Sequence, residues 1–244
     1  STLEAFSHAR CRRAIGDGPV YFLGGGNFGN LYARHHQARL RVMRAVKDNP
    51  QIHLPLSTAW TADDAALRGE TAAILPTLKH ARFFAREART QRDLASRFGI
   101  EAVLCPDLAH AMEMPAVAAP TTARVHLLRR DGESTGHGDA LAEQSRDWRD
   151  LPRLKLVNRL GKNLLKLSFV ARFGESMDWI ASLKVKAATD HIARGRMLVT
   201  DRLHAMIIAQ LIGREVAIFD NATGKVASYF DTWRENLKGV GLAR

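Results

Sequence analysis

The residues best suited to chemistry lie together at positions 200–204, which read Thr-Asp-Arg-Leu-His. They follow the apolar run 197–199 and precede the apolar run 205–212, so we predict a buried strand, a polar turn and a buried helix. Arg202 is a permanent cation, and the imidazole of His204 is a side chain suited to proton transfer. Because a helix start supplies N–H donors and a partial positive charge, this turn is suited to binding an anion and transferring a proton.

Three further polar residues lie in this turn or in the next one. Asp201 either orients the imidazole of His204 or caps the start of the helix, and its position favours capping. After the next predicted strand, 215–219, a second turn carries Asn221 and Lys225. We expect Lys225 to add a second cation near the first turn.

A glycine-rich stretch at 24–29, Gly-Gly-Gly-Asn-Phe-Gly, follows one predicted strand and precedes a predicted helix. Its spacing matches the dinucleotide fingerprint, which also requires an acid at the end of the second strand to hold a ribose hydroxyl. The second strand, predicted for 51–56, continues into two hydroxyl residues, so a nicotinamide cofactor is disfavoured. We expect the backbone N–H groups of Gly25, Gly26 and Asn27 to approach a phosphate or a sugar, with a tight turn as the alternative.

Arg86 and Asp107 each follow an apolar run, at the carboxyl ends of predicted strands. Open parallel sheets bind ligands at that edge, so we predict both as binding residues. The alternative for Arg86 is an ion pair with a nearby carboxylate. For Asp107 the alternative is a cap on a helix predicted for 108–112.

Four stretches, in chain order, closely resemble those of the polysaccharide pyruvyl transferases. They are residues 24–29, then Arg86-Glu87 with Thr90, then 106–110 (Pro-Asp-Leu-Ala-His), and finally 200–204 with 219–221 and 224–226. Those enzymes move a pyruvyl group from phosphoenolpyruvate onto a sugar as a cyclic ketal. The resemblance implies an α/β fold of two Rossmann-like lobes with parallel sheets and a cleft between them, as in GT-B glycosyltransferases.

The chain departs from the family pattern at three places. Leu56 stands where the family commonly has Gln, and Thr223 stands where it has Tyr. The chain opens with Ser1 and lacks the strand-helix unit that usually comes first in the family, so we expect a trimmed N terminus.

Strand and helix patterns alternate in both halves of the chain, which is typical of parallel sheets with helices on both faces. The segment from Pro115 to Pro120 cannot hold a helix and separates the two halves. We therefore predict an N-terminal lobe over 1–118 and a C-terminal lobe over 119–244.

The resemblance implies transfer of pyruvate from phosphoenolpyruvate to an exopolysaccharide or its lipid-linked precursor. The donor carries a carboxylate and a phosphate, and Arg86, Arg202 and Lys225 supply cations that suit both. His204 is the predicted proton shuttle, with Arg202 and Asp201 as its catalytic partners. The remaining predicted substrate-binding residues are Asn221, Gly25, Gly26, Asn27 and Asp107. The alternative function is a GT-B glycosyltransferase with a nucleotide-sugar donor.

Composition sets limits on the partners. With 46% hydrophobic and 25% charged residues, the chain of 244 residues resembles ordinary soluble globular proteins. No apolar run reaches the roughly 18 residues that cross a bilayer, and no signal peptide opens the chain, so we expect a cytoplasmic protein. The net charge of +11 favours anionic partners, but nucleic acid is disfavoured because aromatics make up 7% and do not alternate with the basic residues. No histidine or cysteine spacing predicts a metal, and no cofactor is expected besides the donor substrate.

A last pattern lies between 154 and 167. Cations recur there at helical spacing, at Lys155, Arg159, Lys162 and Lys166. Apolar residues occupy the other side of the predicted helix, at Leu156, Val157, Leu160, Leu164 and Leu167. Such a basic amphipathic helix either packs on its own lobe or lies at an anionic membrane surface, which would suit a lipid-linked acceptor at the inner face of the cell membrane.

Overall fold

The computed structural model describes residues 7–61, 65–136, 144–166 and 173–243, leaving aside the side chains of 162–166 and 173–177. The chain divides into two compact units, Ser1–Leu108 and Ala109–Arg244. Each unit is built on its own sheet, and every strand pairing in both sheets is parallel. The predicted α/β class with two Rossmann-like lobes is confirmed.

Unit 1 alternates strands with helices. Its elements are α1 (His8–Ile15), β1 (Val20–Phe22), β2 (Gly25–Phe28), α2 (Ala33–Ala45), β3 (Gln51–Thr58), α3 (Ala65–Ile74), β4 (Ala81–Ala85), α4 (Ala88–Phe98) and β5 (Val103–Leu104). The sheet runs in the order β1-β3-β4-β5. Strand β2 also pairs with β3, at residues 56–58, after the part of β3 that pairs with β1. Its core packs apolar side chains of β3, β4 and helices α2 to α4.

Unit 2 repeats this plan. Its elements are β6 (Thr122–Leu127), β7 (Ser145–Arg146), α5 (Pro152–Lys166), α6 (Phe173–Ile192), β8 (Gly195–Thr200), α7 (Leu203–Leu211), β9 (Glu215–Ile218), α8 (Lys225–Trp233) and β10 (Val240–Leu242). The sheet order is β10-β9-β8-β6-β7, which places β8 at its centre. Helix α7 follows β8 directly and is apolar almost throughout, so most of its side chains enter the core of the unit.

The glycine-rich stretch differs from the predicted turn. Residues Gly25–Phe28 form β2, a strand paired with β3. A β-carbon on Gly24 would lie 2.1 Å from the carbonyl oxygen of Pro55, and one on Gly29 would lie 2.2 Å from that of Ala59. Glycine is therefore required at both ends of this stretch by close backbone approach, whatever else the stretch binds.

The helix predicted after the glycine-rich stretch is α2, which begins at Ala33 after a 3-10 turn at Asn30–Tyr32. The short strands β7 and β10 were not predicted, since two or three residues carry too little pattern.

Arg39 is one of several arginines of α2, but it does not face solvent. Its side chain is buried, with the guanidinium near the faces of the Phe22 and Phe28 rings. One terminal nitrogen donates to the carbonyl of Leu23 at 2.7 Å and to the side-chain oxygen of Asn27 at 2.9 Å. Arg39 therefore links α2 by hydrogen bonds to the residues just before and just after the glycines at 24–26.

Two histidines of unit 1 are fully buried near this arginine. The His53 ring is stacked between Phe22 and Phe83, with centroids 4.4 and 4.1 Å away, and neither ring nitrogen has a hydrogen-bond partner among the described residues. His36 shares a hydrogen bond of 2.8 Å with Thr71. Burial, and to a smaller extent the charge of Arg39, lowers the pKa of each imidazole from 6.5 to about 3. Both rings are therefore neutral at physiological pH.

These histidines predict a specific loss of stability in acid. In the unfolded chain each imidazole binds a proton below pH 6.5, whereas the folded chain binds one only near pH 3. The stabilisation is therefore complete above pH 6.5 and falls as the pH drops toward 3, by about 1.4 kcal/mol per pH unit for each imidazole. His53→Phe, which keeps the stacked ring, should be as stable as the wild type at pH 7.5. Between pH 6 and 4 its free energy of unfolding should fall less steeply than that of the wild type, by about 1.4 kcal/mol per pH unit, which is the contribution of one imidazole. Urea titrations across that range measure both slopes, and unchanged slopes would contradict the assignment.

Candidate functional site

The parallel strands of unit 2 end at one edge of the sheet, and charged side chains collect there. We call them the carboxyl-edge cluster, which consists of Arg129, Asp131, Glu133, Asp147, Asp201, Arg202, Asn221 and Lys225. The first three follow β6, Asp147 follows β7, Asp201 and Arg202 follow β8, and the last two follow β9. The structure thus brings together the predicted residues of both turns.

The turn after β8 is held by Thr200 and Asp201, both fully buried. The Thr200 hydroxyl donates to the carbonyl of Leu127 at 2.6 Å and accepts from the Arg202 N–H at 3.1 Å. Asp201 accepts from the backbone N–H of Arg129 at 2.9 Å. These bonds join the ends of β6 and β8 and fix the direction in which Arg202 leaves the sheet.

The predicted capping role of Asp201 is not observed, because Arg202 itself occupies the N-cap position of α7. The carboxylate is directed to the β6 loop instead, and its second oxygen, Oδ2, is buried without a hydrogen-bond partner among the described residues. Burial raises the pKa of Asp201, and the nearby backbone donor and arginines only partly oppose this. The surroundings of Asp201 therefore stabilise its charged form less well than water does.

Arg202 is largely buried and pairs with carboxylates of two other loops. Its terminal nitrogen Nη2 lies 2.5 and 2.6 Å from the two oxygens of Asp147 and 3.4 Å from Asp131. Its Nε is buried and has no partner among the described residues. Asp147 also accepts from the Arg130 N–H at 3.0 Å, so one carboxylate holds both the arginine and the β6 loop.

Glu133 organises the other side of the cluster. Its carboxylate accepts from the Asn221 amide at 3.0 Å, and Arg129 lies 3.2 Å away. Lys225 is buried at the first position of α8, with its Nζ 3.8 Å from Glu133. Gly224 precedes it with a φ of 68°, a left-handed conformation that favours glycine and directs the chain into the helix. Glu133 thus joins Lys225 to Arg129, the residue whose backbone N–H is bound by Asp201 of the first turn.

His204 is the exposed member of the predicted set. It lies in the first turn of α7, two residues beyond Arg202, and its neighbours Leu203 and Ala205 are buried. The helix therefore anchors the backbone at this point while the imidazole stays accessible to a substrate.

A separate cluster occupies the corresponding edge of unit 1. Arg86 is buried after β4, where its Nη1 donates to Asp107 at 2.8 Å and its Nε donates to the Ser57 hydroxyl at 3.0 Å. Ser57 in turn donates to Glu87 at 2.6 Å, and Thr90 also donates to Glu87. The ion pair named as the alternative for Arg86 is present, and it also accounts for Asp107.

Sequence reasoning missed three carboxylates of the carboxyl-edge cluster. Asp131, Glu133 and Asp147 carry no motif, and they contact Arg202 or Asn221 across 55 to 88 residues of chain. Only Asp147 had a local signal, since it forms a capping box with Asp150 around a 3-10 turn.

Among the described residues, no group of three or more His, Cys, Asp or Glu side chains is arranged to hold a metal ion. None of the described helices is both long and apolar enough to cross a membrane.

The fold and the edge clusters define a Rossmann-like α/β protein with polar loops at the ends of its parallel strands. A crystal structure described as a functionally uncharacterized protein of Klebsiella pneumoniae subsp. pneumoniae NTUH-K2044 has this fold, with a TM-score of 0.61 over 93% of this chain and 75% of that one. Its sequence identity is 16%, so the likeness concerns the fold alone.

The sequence model of the family "Polysaccharide pyruvyl transferase" matches residues 3–223. The chain therefore belongs to the polysaccharide pyruvyl transferase family, and the prediction of an enzyme of this family is confirmed.

Three curated proteins are similar over most of the chain. A Bacillus subtilis (strain 168) protein named "Putative pyruvyl transferase EpsO" is 27% identical over 235 residues, covering 90% of this chain and 70% of that protein. "Pyruvyl transferase 1" of Schizosaccharomyces pombe (strain 972 / ATCC 24843) is 29% identical over 255 residues, covering 97% and 62%. "General stress protein 30" of Bacillus subtilis (strain 168) is 24% identical over 233 residues, covering 92% and 63%. The chain thus spans between 62% and 70% of the length of these relatives.

The unit 1 cluster predicts a large effect of Arg86→Met on stability. The substitution leaves Glu87 and Asp107 buried without the guanidinium, which should lower the free energy of unfolding by about 3–5 kcal/mol. Arg82→Met is the matched control, because Arg82 lies on the same strand β4 with an exposed side chain and should cost no more than about 0.5 kcal/mol. Urea denaturation measures both variants. Equal stabilities would show that the buried pair does not support unit 1.

Proposed function

We propose that this protein transfers the pyruvyl group of phosphoenolpyruvate to a saccharide and forms a cyclic ketal. The proposal is supported by family membership together with one observation: Arg202, from the family's Thr-Asp-Arg-Leu-His stretch, belongs to the same ion-pair network as Lys225. The network runs from Arg202 through Asp131, Arg129 and Glu133 to Lys225. Phosphoenolpyruvate carries two anionic groups, and a cluster with several permanent cations is suited to hold it.

The reaction sets the tasks of the side chains. One sugar hydroxyl adds to C2 of the enol, the methylene carbon C3 gains a proton, and the hydroxyl loses one. The C2–O bond to phosphate then breaks, the second hydroxyl adds to C2 and gives up its proton, and inorganic phosphate leaves. The enzyme must therefore neutralise the phosphate as it departs and move protons near C3 and two hydroxyls.

The carboxylates of the cluster explain how its cations stay in place without the donor. Asp147 and Glu133 neutralise Arg202 and Lys225 and so lower the cost of burying them. The unpartnered Nε of Arg202 remains as a buried donor that an anion can satisfy.

His204 is the group we assign to proton transfer. It is exposed at the start of α7 and belongs to the same stretch as Arg202, and imidazole titrates in the range where enzymes work. Because Asp201 is buried and directed to Arg129, we assign it to shaping the turn that presents Arg202.

The deciding experiment is phosphate release from phosphoenolpyruvate with and without a saccharide acceptor, carried out on wild type and His204→Ala. The wild type should release phosphate only with acceptor. The variant should be about 10²- to 10⁴-fold slower while still binding donor, as expected for loss of a general acid or base. An unchanged turnover would exclude His204 from the mechanism. Thermal protection by a nucleotide sugar, and not by phosphoenolpyruvate, would instead favour a glycosyltransferase.

Donor binding predicts a difference between the two cations. Arg202→Lys should weaken phosphoenolpyruvate binding nearly as much as Arg202→Ala, because a point charge cannot bridge Asp147 and the donor as a planar fork does. Lys225→Arg should be partly tolerated, since Lys225 makes one longer ion pair. Calorimetric titration measures each affinity, and melting curves confirm that the variants are folded. Normal binding by Arg202→Lys would rule out the fork.

A further inference from the structure

Helices α5 and α6 of unit 2 form an antiparallel hairpin. Near one end, Nη1 of Arg153 lies 2.8 Å from an Asp190 oxygen. Further along, a β-carbon on Gly161 would lie 3.3 Å from a methyl group of Ile180. As the residue number rises on α5, the number of the contacted residue on α6 falls, so the two helices run in opposite directions.

This geometry places exposed apolar side chains on one outer face of the hairpin. In two antiparallel helices, the residues that directly precede the two contact residues point to the same side of the pair, because both helices are right-handed with about 100° per residue. Those residues are Leu160 and Trp179, which are 39% and 54% exposed. Leu156 precedes Leu160 by one turn and is 60% exposed, and Leu183, one turn after Trp179, is partly exposed. We call these four residues the hairpin patch.

The surroundings of the hairpin patch are basic. Lys155 and Arg159 are exposed on α5 next to the patch leucines. At the end of the patch, Arg153 and Lys186 both pair with Asp190, which leaves this group one positive charge in excess. The side chains of Lys162 and Lys166, which continue the predicted cationic stripe, lie outside the described part of the structure, as does Leu164, and Leu167 is also outside it.

We propose that the hairpin patch docks on an anionic lipid surface. Leucine and tryptophan next to lysine and arginine is the composition of surfaces that lie in a membrane interface, where tryptophan is favoured at the headgroup level. A second copy of this chain fits less well, because it would bring Lys155 and Arg159 against their own like charges. The net charge of +11 adds long-range attraction to an anionic leaflet. The proposal does not depend on pyruvyl transfer, since docking is measured without substrate.

The first test is cosedimentation of the full chain with vesicles of phosphatidylcholine alone or mixed with phosphatidylglycerol. We expect binding to the mixed vesicles only, weakened by salt. Lys155→Gln with Arg159→Gln should weaken it about 30-fold, the equivalent of about 2 kcal/mol at about 1 kcal/mol per cation. The matched control, Lys79→Gln with Lys238→Gln, removes two exposed cations elsewhere and should change binding less than threefold, or about 0.6 kcal/mol. Equal effects of the two pairs would overturn the proposal.

A second measurement tests insertion of the apolar residues. Of the four tryptophans, Trp179 is the exposed one, so lipids brominated on their acyl chains should quench fluorescence in the wild type but not in Trp179→Phe. Leu156→Gln with Leu160→Gln should lower binding at least tenfold without changing the melting temperature, since both side chains are exposed. Binding that is independent of lipid charge, absent quenching, or dimerisation through the patch without vesicle binding would each overturn it.

Discussion

Burial of charge at the carboxyl ends of parallel strands is the constraint on which both units depend. Parallel strands present their last residues at one edge, so polar groups from several loops are forced into a small volume. Arg86 and Arg202 are both largely buried there, and each is stable only because carboxylates from other loops pair with it. The acids Asp107 and Asp147 are therefore parts of the fold as much as of any site.

The two edge clusters differ in what they leave available. In unit 1, Arg86 is joined to Ser57 and Asp107, and Glu87 is satisfied by two hydroxyl groups. In unit 2, Arg202 retains a buried Nε without a partner and Asp201 retains a buried oxygen without one, within the described residues. Unpartnered buried polar atoms are costly unless a ligand or a proton satisfies them. Unit 2 therefore has the features of a binding site, while unit 1 has those of a closed polar network.

The fold was predictable because its signals are local. Apolar runs such as those of β8 and α7 are long enough to show their period, and the loops between them begin where the runs stop. Strand β2 was missed because two of its four residues are glycine, and its pairing with β3 is set by close backbone packing that no propensity records. The burial of Arg39 could not be predicted, for a related reason. Helical spacing tells which side of α2 a residue occupies, but not that two phenylalanine rings cover that side.

The site was predictable only in its cations. Arg202 and Lys225 belong to recognisable turns, whereas their acids come from loops with no motif, and only the folded sheet brings them together. The same limit applies to the amphipathic pattern of α5. Its spacing identifies which residues form the apolar side of the helix, but not which of them are buried and which are exposed. The contact with α6 decides this, burying Val157 and leaving Leu156 and Leu160 exposed beside basic residues.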